Sequence, residues 1–231
     1  MPIWAVIPAA GYGSRMLSDV PKQYLALHGE CMLTRSIRTL ANSPVIDGVV
    51  VVLAADDQGF NTLPEDIRSK VITVTGGATR SDSVAAGVEA LISHAGDEAW
   101  ALVHDAARPL LSSRDLVNLV TLVTQSDAGG GLLAVPVSDT LKRVQAQMDC
   151  VEVTVERVDL WQAQTPQMFR AGALLSAIDQ AQRDGITITD EASAMEHSGL
   201  SPLVVAAMDP NFKVTREADL KLASAWLAQH V

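Results

Sequence analysis

Continuous apolar runs recur along this chain, and helical patterns fill the intervals between them. Residues 3–7 (Ile-Trp-Ala-Val-Ile) form the first run, followed by 48–53, 70–75, 100–104 and 132–137. Short runs of this kind, rich in Val and bounded by polar or small residues, read as strands buried on both faces. Between them, 32–40 carries Leu33, Ile37 and Leu40 on one side, and 80–93 carries Val84, Val88, Leu91 and Ile92 on one side. Residues 116–123 are helical, with Ser112, Ser113 and Asp115 as candidate caps. Strands alternating with helices predict an α/β fold: a doubly wound, mostly parallel sheet covered on both faces.

The pattern changes between residues 138 and 169. Leu141-Lys142-Arg143-Val144 and Val151-Glu152-Val153-Thr154-Val155 alternate polar and apolar positions, as half-exposed strands do. With 145–149 as the tip, they predict a β-arm at about 138–158 projecting from the sheet. A two-stranded arm is marginal alone and needs a partner surface, so a homodimer clasped through the arms is expected. Helical patterns return at 171–183 and 190–197, then a strand at 203–207 and a last helix at 216–228. No repeat, linker or low-complexity segment divides residues 1–231, which suits a single α/β domain.

Composition narrows the function. Hydrophobic residues make up 48% of the chain and aromatics only 4%, so the core must be built mainly from Val, Leu, Ile and Ala. A net charge of -10 argues against a nucleic-acid-binding surface. Cys31 and Cys150 are in no CxxC pair, and His28, His94, His104, His197 and His230 show no metal-ligand spacing. No apolar run approaches a membrane span and no basic leader precedes one, so a cytoplasmic enzyme is expected.

Candidate chemistry gathers where the strands end. The first strand runs into Pro8-Ala9-Ala10-Gly11-Tyr12-Gly13-Ser14-Arg15-Met16, then Pro21-Lys22-Gln23-Tyr24. Backbone N–H groups of such a small-residue loop can cradle phosphate oxygens, and Arg15 and Lys22 add two cations. Met16 stands where a dinucleotide fingerprint needs its third glycine, and no Gly-Lys-Ser/Thr closes a Walker-type loop. The loop therefore points to a nucleoside triphosphate. In a second loop, Gly76-Gly77-Ala78-Thr79-Arg80-Ser81-Asp82-Ser83-Val84, either Ser81 or Asp82 caps the next helix, or Ser83 and the backbone read a base or sugar. His104-Asp105-Ala106-Ala107-Arg108-Pro109 puts an Asp at a strand's carboxyl end, where open α/β sheets bind ligands. That Asp suits Mg²⁺ carried by a triphosphate, or it serves as a cap or the ion-pair partner of Arg108. Lys213, between Phe212 and Val214, must point away from the face its neighbours occupy, toward a cleft. No Ser/His/Asp series and no paired catalytic carboxylates are legible. That suits a phosphate-monoester acceptor, an anionic nucleophile that needs only alignment and charge neutralisation.

Together these segments resemble the 2-C-methyl-D-erythritol 4-phosphate cytidylyltransferases. The resemblance runs from Ile7 to Leu220, and Pro136 to Lys142, Leu160 to Phe169, Thr187 to Ala194 and Lys213 to Asp219 carry it along with the loops above. It implies transfer of CMP from CTP to the polyol phosphate with Mg²⁺ or another divalent cation. It assigns transition-state stabilisation to Arg15 and Lys22, and positioning of the acceptor phosphate to Arg157 and Lys213. Ala9, Ala10, Gly11, Gly77, Ser83 and Ala106 would line the CTP site. Asp105, Arg108, Thr140, Thr165 and Thr189 would contact the acceptor, with Asp105 also near the metal. The arm would be the dimerisation element. Two departures stand out: Ala78 is polar in some relatives, and Phe212 precedes the lysine where Ile is usual, beside an extra acid at Asp209. The second metal ligand is therefore left unassigned. No fused cyclase domain is expected.

Three other readings remain open on sequence. A ribitol-5-phosphate cytidylyltransferase would share the CTP loops and differ in the acceptor pocket. A nucleotide-sensing protein would bind CTP without turnover, which the presence of both Arg15 and Lys22 disfavours. A dinucleotide oxidoreductase is disfavoured by Met16.

Overall fold

A computed structural model describes residues 1–11, 20–145 and 149–230. The chain opens with β1 (Ile3–Pro8), a short hairpin of β2 (Ala26–Leu27) and β3 (Glu30–Cys31), then α1 (Met32–Ala41). Next come β4 (Gly48–Leu53), α2 (Glu65–Arg68), β5 (Ile72–Thr75), α3 (Arg80–Ala95), β6 (Trp100–Val103), α4 (Ser113–Gln125) and β7 (Gly130–Pro136). The arm is β8 (Leu141–Val144) and β9 (Val151–Val155), and the chain closes with β10 (Trp161–Arg170), α5 (Ala171–Arg183), α6 (Glu191–His197), β11 (Leu203–Ala206) and α7 (Glu217–His230).

Seven strands make the central sheet in the order β11-β7-β10-β6-β1-β4-β5. The pairs β1–β4, β1–β6, β4–β5 and β7–β11 are parallel. The apolar runs became strands because both faces are covered, as burial of every residue from Val49 to Val52 shows. Leu33, Ile37, Leu116 and Leu119 pack on one face of the sheet; Val84, Val88, Leu174 and Ile178 pack on the other. Gly87 sets how closely α3 approaches: a Cβ there would meet Val6 Cγ1 at 2.5 Å. A third cluster, with Leu27, Met32, Val214 and Leu227, docks α7 against the early hairpin.

One element departs from the expectation. Residues 161–170, read on sequence as polar groups beside strands, form β10, which runs antiparallel between β6 and β7. It hides from periodicity because its buried positions include Gln164, Thr165 and Gln167, and because Pro166 argues against a central strand. Pro166 falls where the ladder to β7 is interrupted, between Ala163 and Gln167, so its missing N–H costs no regular bond. The arm strands fall where alternation put them, pairing Leu141 with Val155 and Arg143 with Val153.

Helix ends explain several boundaries. Cys31 caps α1 through Sγ, and Ser112 caps α4. At α3 the cap is Thr79 rather than Ser81 or Asp82; Asp82 closes the capping box by accepting the Thr79 N–H. Among the described residues no helix is long and apolar enough to cross a membrane.

Candidate active site

The carboxyl ends of β1, β5 and β6 open into one cleft of about 280 Å³. Its walls carry Ala9, Ala10 and Gly11 after β1, Gly77 and Ser83 around the start of α3, and Ala106 after β6. Lys22, Arg80, Asp105 and Lys213 supply its charge. Arg15 lies outside the described residues. Buried Gln23 donates its Nε2 to the Ala9 carbonyl at 2.7 Å, tying the Lys22 turn to the first loop. Gly76 keeps the adjoining strand end open, since a Cβ would meet Ser83 Oγ at 2.6 Å and Ala10 Cβ at 2.8 Å. The Ser83 hydroxyl donates to the Thr79 carbonyl at 2.9 Å.

Asp105 is the hub. Its Oδ1 accepts from Arg80 Nε at 3.1 Å and Nη2 at 3.0 Å, and its Oδ2 lies 2.8 Å from Lys213 Nζ. Arg108 Nε stands 3.8 Å from Oδ2 and has no hydrogen-bond partner; Arg108 Nη1 donates to the Asn211 carbonyl at 2.8 Å. Burial pushes the Asp105 carboxyl up, but Arg80 and Lys213 outweigh it and hold the group well below the usual carboxylate range. Arg80 is opposed by burial in the same way, and Glu191 and Asp105 hold it above its ordinary value. The Asp105–Arg108 pairing weighed on sequence is present, but Arg80 and Lys213 sit closer.

Beneath Asp105 lies a buried polar chain. The Asp105 N–H donates to the Thr165 hydroxyl at 3.0 Å, and that hydroxyl lies 3.2 Å from His104 Nδ1. His104 Nε2 lies 3.0 Å from the Arg108 carbonyl, which can only accept, so Nε2 carries the proton and Thr165 donates to Nδ1. Complete burial pushes the imidazole down to about 4, keeping it neutral. Asn211 Nδ2 bonds the Thr165 carbonyl at 2.7 Å, and the Val214 N–H bonds the Ala107 carbonyl at 2.8 Å. These bonds anchor both sides of Lys213, whose side chain is 40% exposed and turned into the cleft as the Phe-Lys-Val alternation predicted.

The cleft thus gathers Lys22, Lys213, Asp105 and the predicted small-residue walls. Thr165 is buried below the floor, with its hydroxyl engaged. Thr189 is exposed beside the start of α6, where its N–H bonds Ser193 Oγ. Thr140 and Arg157 are exposed at the base of the arm and are absent from the cleft wall. Arg80 and Glu191 were missed as site residues. Arg80 is the first residue of α3, where the helix dipole disfavours a cation. A cation in that place needs acids nearby, and this was a usable signal. No group of three or more His, Cys, Asp or Glu able to hold a metal occurs among the described residues. Asp105 is the only acid on the described cleft wall. One carboxylate beside a phosphate cradle fits a divalent cation brought by a triphosphate better than a resident metal.

The family model described as 2-C-methyl-D-erythritol 4-phosphate cytidylyltransferase matches residues 3–229. A relative of that name from Serratia proteamaculans (strain 568) is 46% identical over 99% of this chain and 95% of its own. Another from Alteromonas mediterranea is 46% identical over 97% of this chain and 92% of its own. The solved 2-C-methyl-D-erythritol 4-phosphate cytidylyltransferase of Francisella tularensis superposes with a TM-score of 0.83 at 33% identity, covering 98% of this chain and 99% of that one. The enzyme of the same name from Thermus thermophilus superposes at 0.81 and 28% identity, covering 99% and 100%.

Proposed function

The chain belongs to the 2-C-methyl-D-erythritol 4-phosphate cytidylyltransferase family, and on that premise we propose that it transfers CMP from CTP to 2-C-methyl-D-erythritol 4-phosphate. An acceptor phosphate oxygen attacks the CTP α-phosphorus in line. The bond from that phosphorus to the α,β-bridging oxygen breaks, and pyrophosphate leaves with its electron pair. The observation that carries this reading is the cleft itself: small-residue loops meet Lys22 and Lys213, and its one described acid is already committed to cations. Such a wall suits a nucleophile that arrives ionised.

Ala9, Ala10, Gly11, Gly77, Ser83 and Ala106 hold CTP, and Lys22, with Arg15, stabilises charge developing at the α-phosphate. Lys213 and Arg157 position the acceptor phosphate, while Arg108, Thr140 and Thr189 contact the acceptor. Thr165 acts from below, by holding the Asp105 loop. Mg²⁺ bound with CTP would neutralise triphosphate charge, and Asp105 would hold it in exchange for its Lys213 contact.

The domain works as a cytoplasmic homodimer in which each arm reaches the neighbouring subunit's site. Supporting this, Val144, Val151 and Val153 on the arm and Val158, Leu160 and Trp161 at its base are all exposed. These are large apolar side chains that a single chain leaves uncovered, as an interface would require. Val151→Asp with Val153→Asp is expected to shift the protein from dimer to monomer in sedimentation; a variant that remains dimeric at the same concentration refutes the arm interface.

The acceptor is tested by pyrophosphate release from CTP with a panel of polyol phosphates. Turnover with methylerythritol phosphate is expected. Turnover with ribitol 5-phosphate alone overturns the choice of acceptor, and CTP binding without release under every condition indicates a sensor.

A further inference from the structure

Glu191 is a carboxylate with no access to the cleft, yet it belongs to the same ion network. It is 2% exposed, at the first position of α6, and pairs with Arg80, with Nη1–Oε1 at 2.6 Å and Nη2–Oε2 at 3.3 Å. Arg80 reaches it from the first position of α3 and turns Nε and Nη2 to Asp105 Oδ1. One planar guanidinium therefore joins two carboxylates on separate elements, a geometry that a single ammonium cannot reproduce. The α6 end is itself fixed to the sheet: Gln167 Nε2 donates to Asp190 Oδ2 at 2.8 Å, and Gln167 Oε1 accepts the Ala192 N–H at 2.7 Å.

We infer that Glu191 and Arg80 are a positioning pair for the transfer reaction: Glu191 holds the guanidinium on Asp105 Oδ1, so that Oδ2 faces the cleft and sets the place of Lys213. Without a second acid, Arg80 would be drawn toward the cleft, where a triphosphate would compete for it. With Glu191 in place, Arg80 stays on the floor and Lys213, 40% exposed, is the cation that Asp105 Oδ2 presents to the cleft. The pair spans the second nucleotide loop and the α6 end beside Thr189. It thereby links the CTP side of the cleft to the acceptor side. The inference rests on the proposed reaction, but its geometric part does not.

The test combines kinetics with a crystal structure of Glu191→Gln in the full dimeric enzyme. The variant keeps its shape and loses its charge. We expect kcat to fall about tenfold with the KM for CTP within about twofold, because a positioning loss acts in the transition state. In the crystal, Asp105 should rotate off the 2.8 Å contact with Lys213. Arg80→Met combined with Glu191→Gln should be no slower than Arg80→Met alone, since Glu191 acts only through Arg80. A wild-type kcat in Glu191→Gln, an intact Asp105–Lys213 contact, or multiplying losses in the double variant each overturn the pair. If Glu191→Gln does not fold, Arg80→Lys carries the test by the same kinetic and crystallographic criteria, and a full kcat there overturns it. A wild-type enzyme that releases no pyrophosphate would sink the reaction, while the crystallographic contact would still decide the pair.

Discussion

The cleft floor and the arm handle their polar and charged groups in opposite ways. On the floor, Asp105, Arg80, Glu191, His104 and Thr165 satisfy one another inside a single chain. On the arm, Arg157 is exposed and Val144, Val151 and Val153 face solvent, and the bonds described between the strands are the β8–β9 ladder, a Gln145–Cys150 backbone bond and a Lys142–Thr154 bond. The floor's charges are paired within the chain, whereas the arm leaves Val144, Val151 and Val153 uncovered. In the proposed homodimer, a site assembled from both regions would hold nucleotide in one subunit and depend on assembly to hold the acceptor.

The largest test of this contrast is Lys22→Ala. Lys22 stands on the floor side, so turnover should fall about a hundredfold while the KM for CTP moves much less. An unchanged kcat in steady-state assays removes Lys22 from the transition state.

A second test asks whether the floor is as tightly built as its hydrogen bonds imply. His104 has a folded pKa depressed to about 4, against about 6.5 in the unfolded chain. Its contribution is fully present above the unfolded value and is lost as pH falls toward the folded one. Between pH 7 and pH 5 only the unfolded chain gains the proton, and urea-unfolding stability should drop by about 2 kcal/mol from this group. In His104→Gln that component of the slope should vanish; an identical pH dependence would mean that the imidazole is not held neutral. Asp105 adds little in this window: its folded value is depressed, and the stability this brings is lost only as pH falls through the unfolded carboxyl value of about 3.9 toward the folded one.

The smallest expected effect lies on the arm. Arg157→Ala should raise the acceptor's KM about tenfold and leave that of CTP within about twofold, a difference of about 1.4 kcal/mol. Equal shifts for both substrates would place Arg157 outside the acceptor site and blur the division between floor and arm.

The same contrast governs what could be read from the chain. Apolar strands and the arm's alternation were legible because burial imposes simple periods. The loops bearing Lys22, Asp105 and Lys213 were legible because small residues and charges interrupt those periods at strand ends. What escaped was polar and buried at once. Gln164, Thr165 and Gln167 made β10 look like a loop, though their partners are the Asp105 N–H, Asp190 and Asn211. Glu191 is separated from Arg80 by 111 positions, and no local rule joins them. Burial of a charge is a property of the pair, and a sequence displays its members one at a time.

The reversal at β10 has a consequence for how such a molecule can vary. The arm leaves the sheet after Pro136 and returns at Trp161, and these two residues are paired across the β7–β10 ladder. Departure and return are therefore side by side, and everything between them is an excursion closed at its root. Its length, tip and sequence can change without altering the order of a single strand. The sheet that carries the cleft and the arm are in that sense separate modules, spliced at one seam.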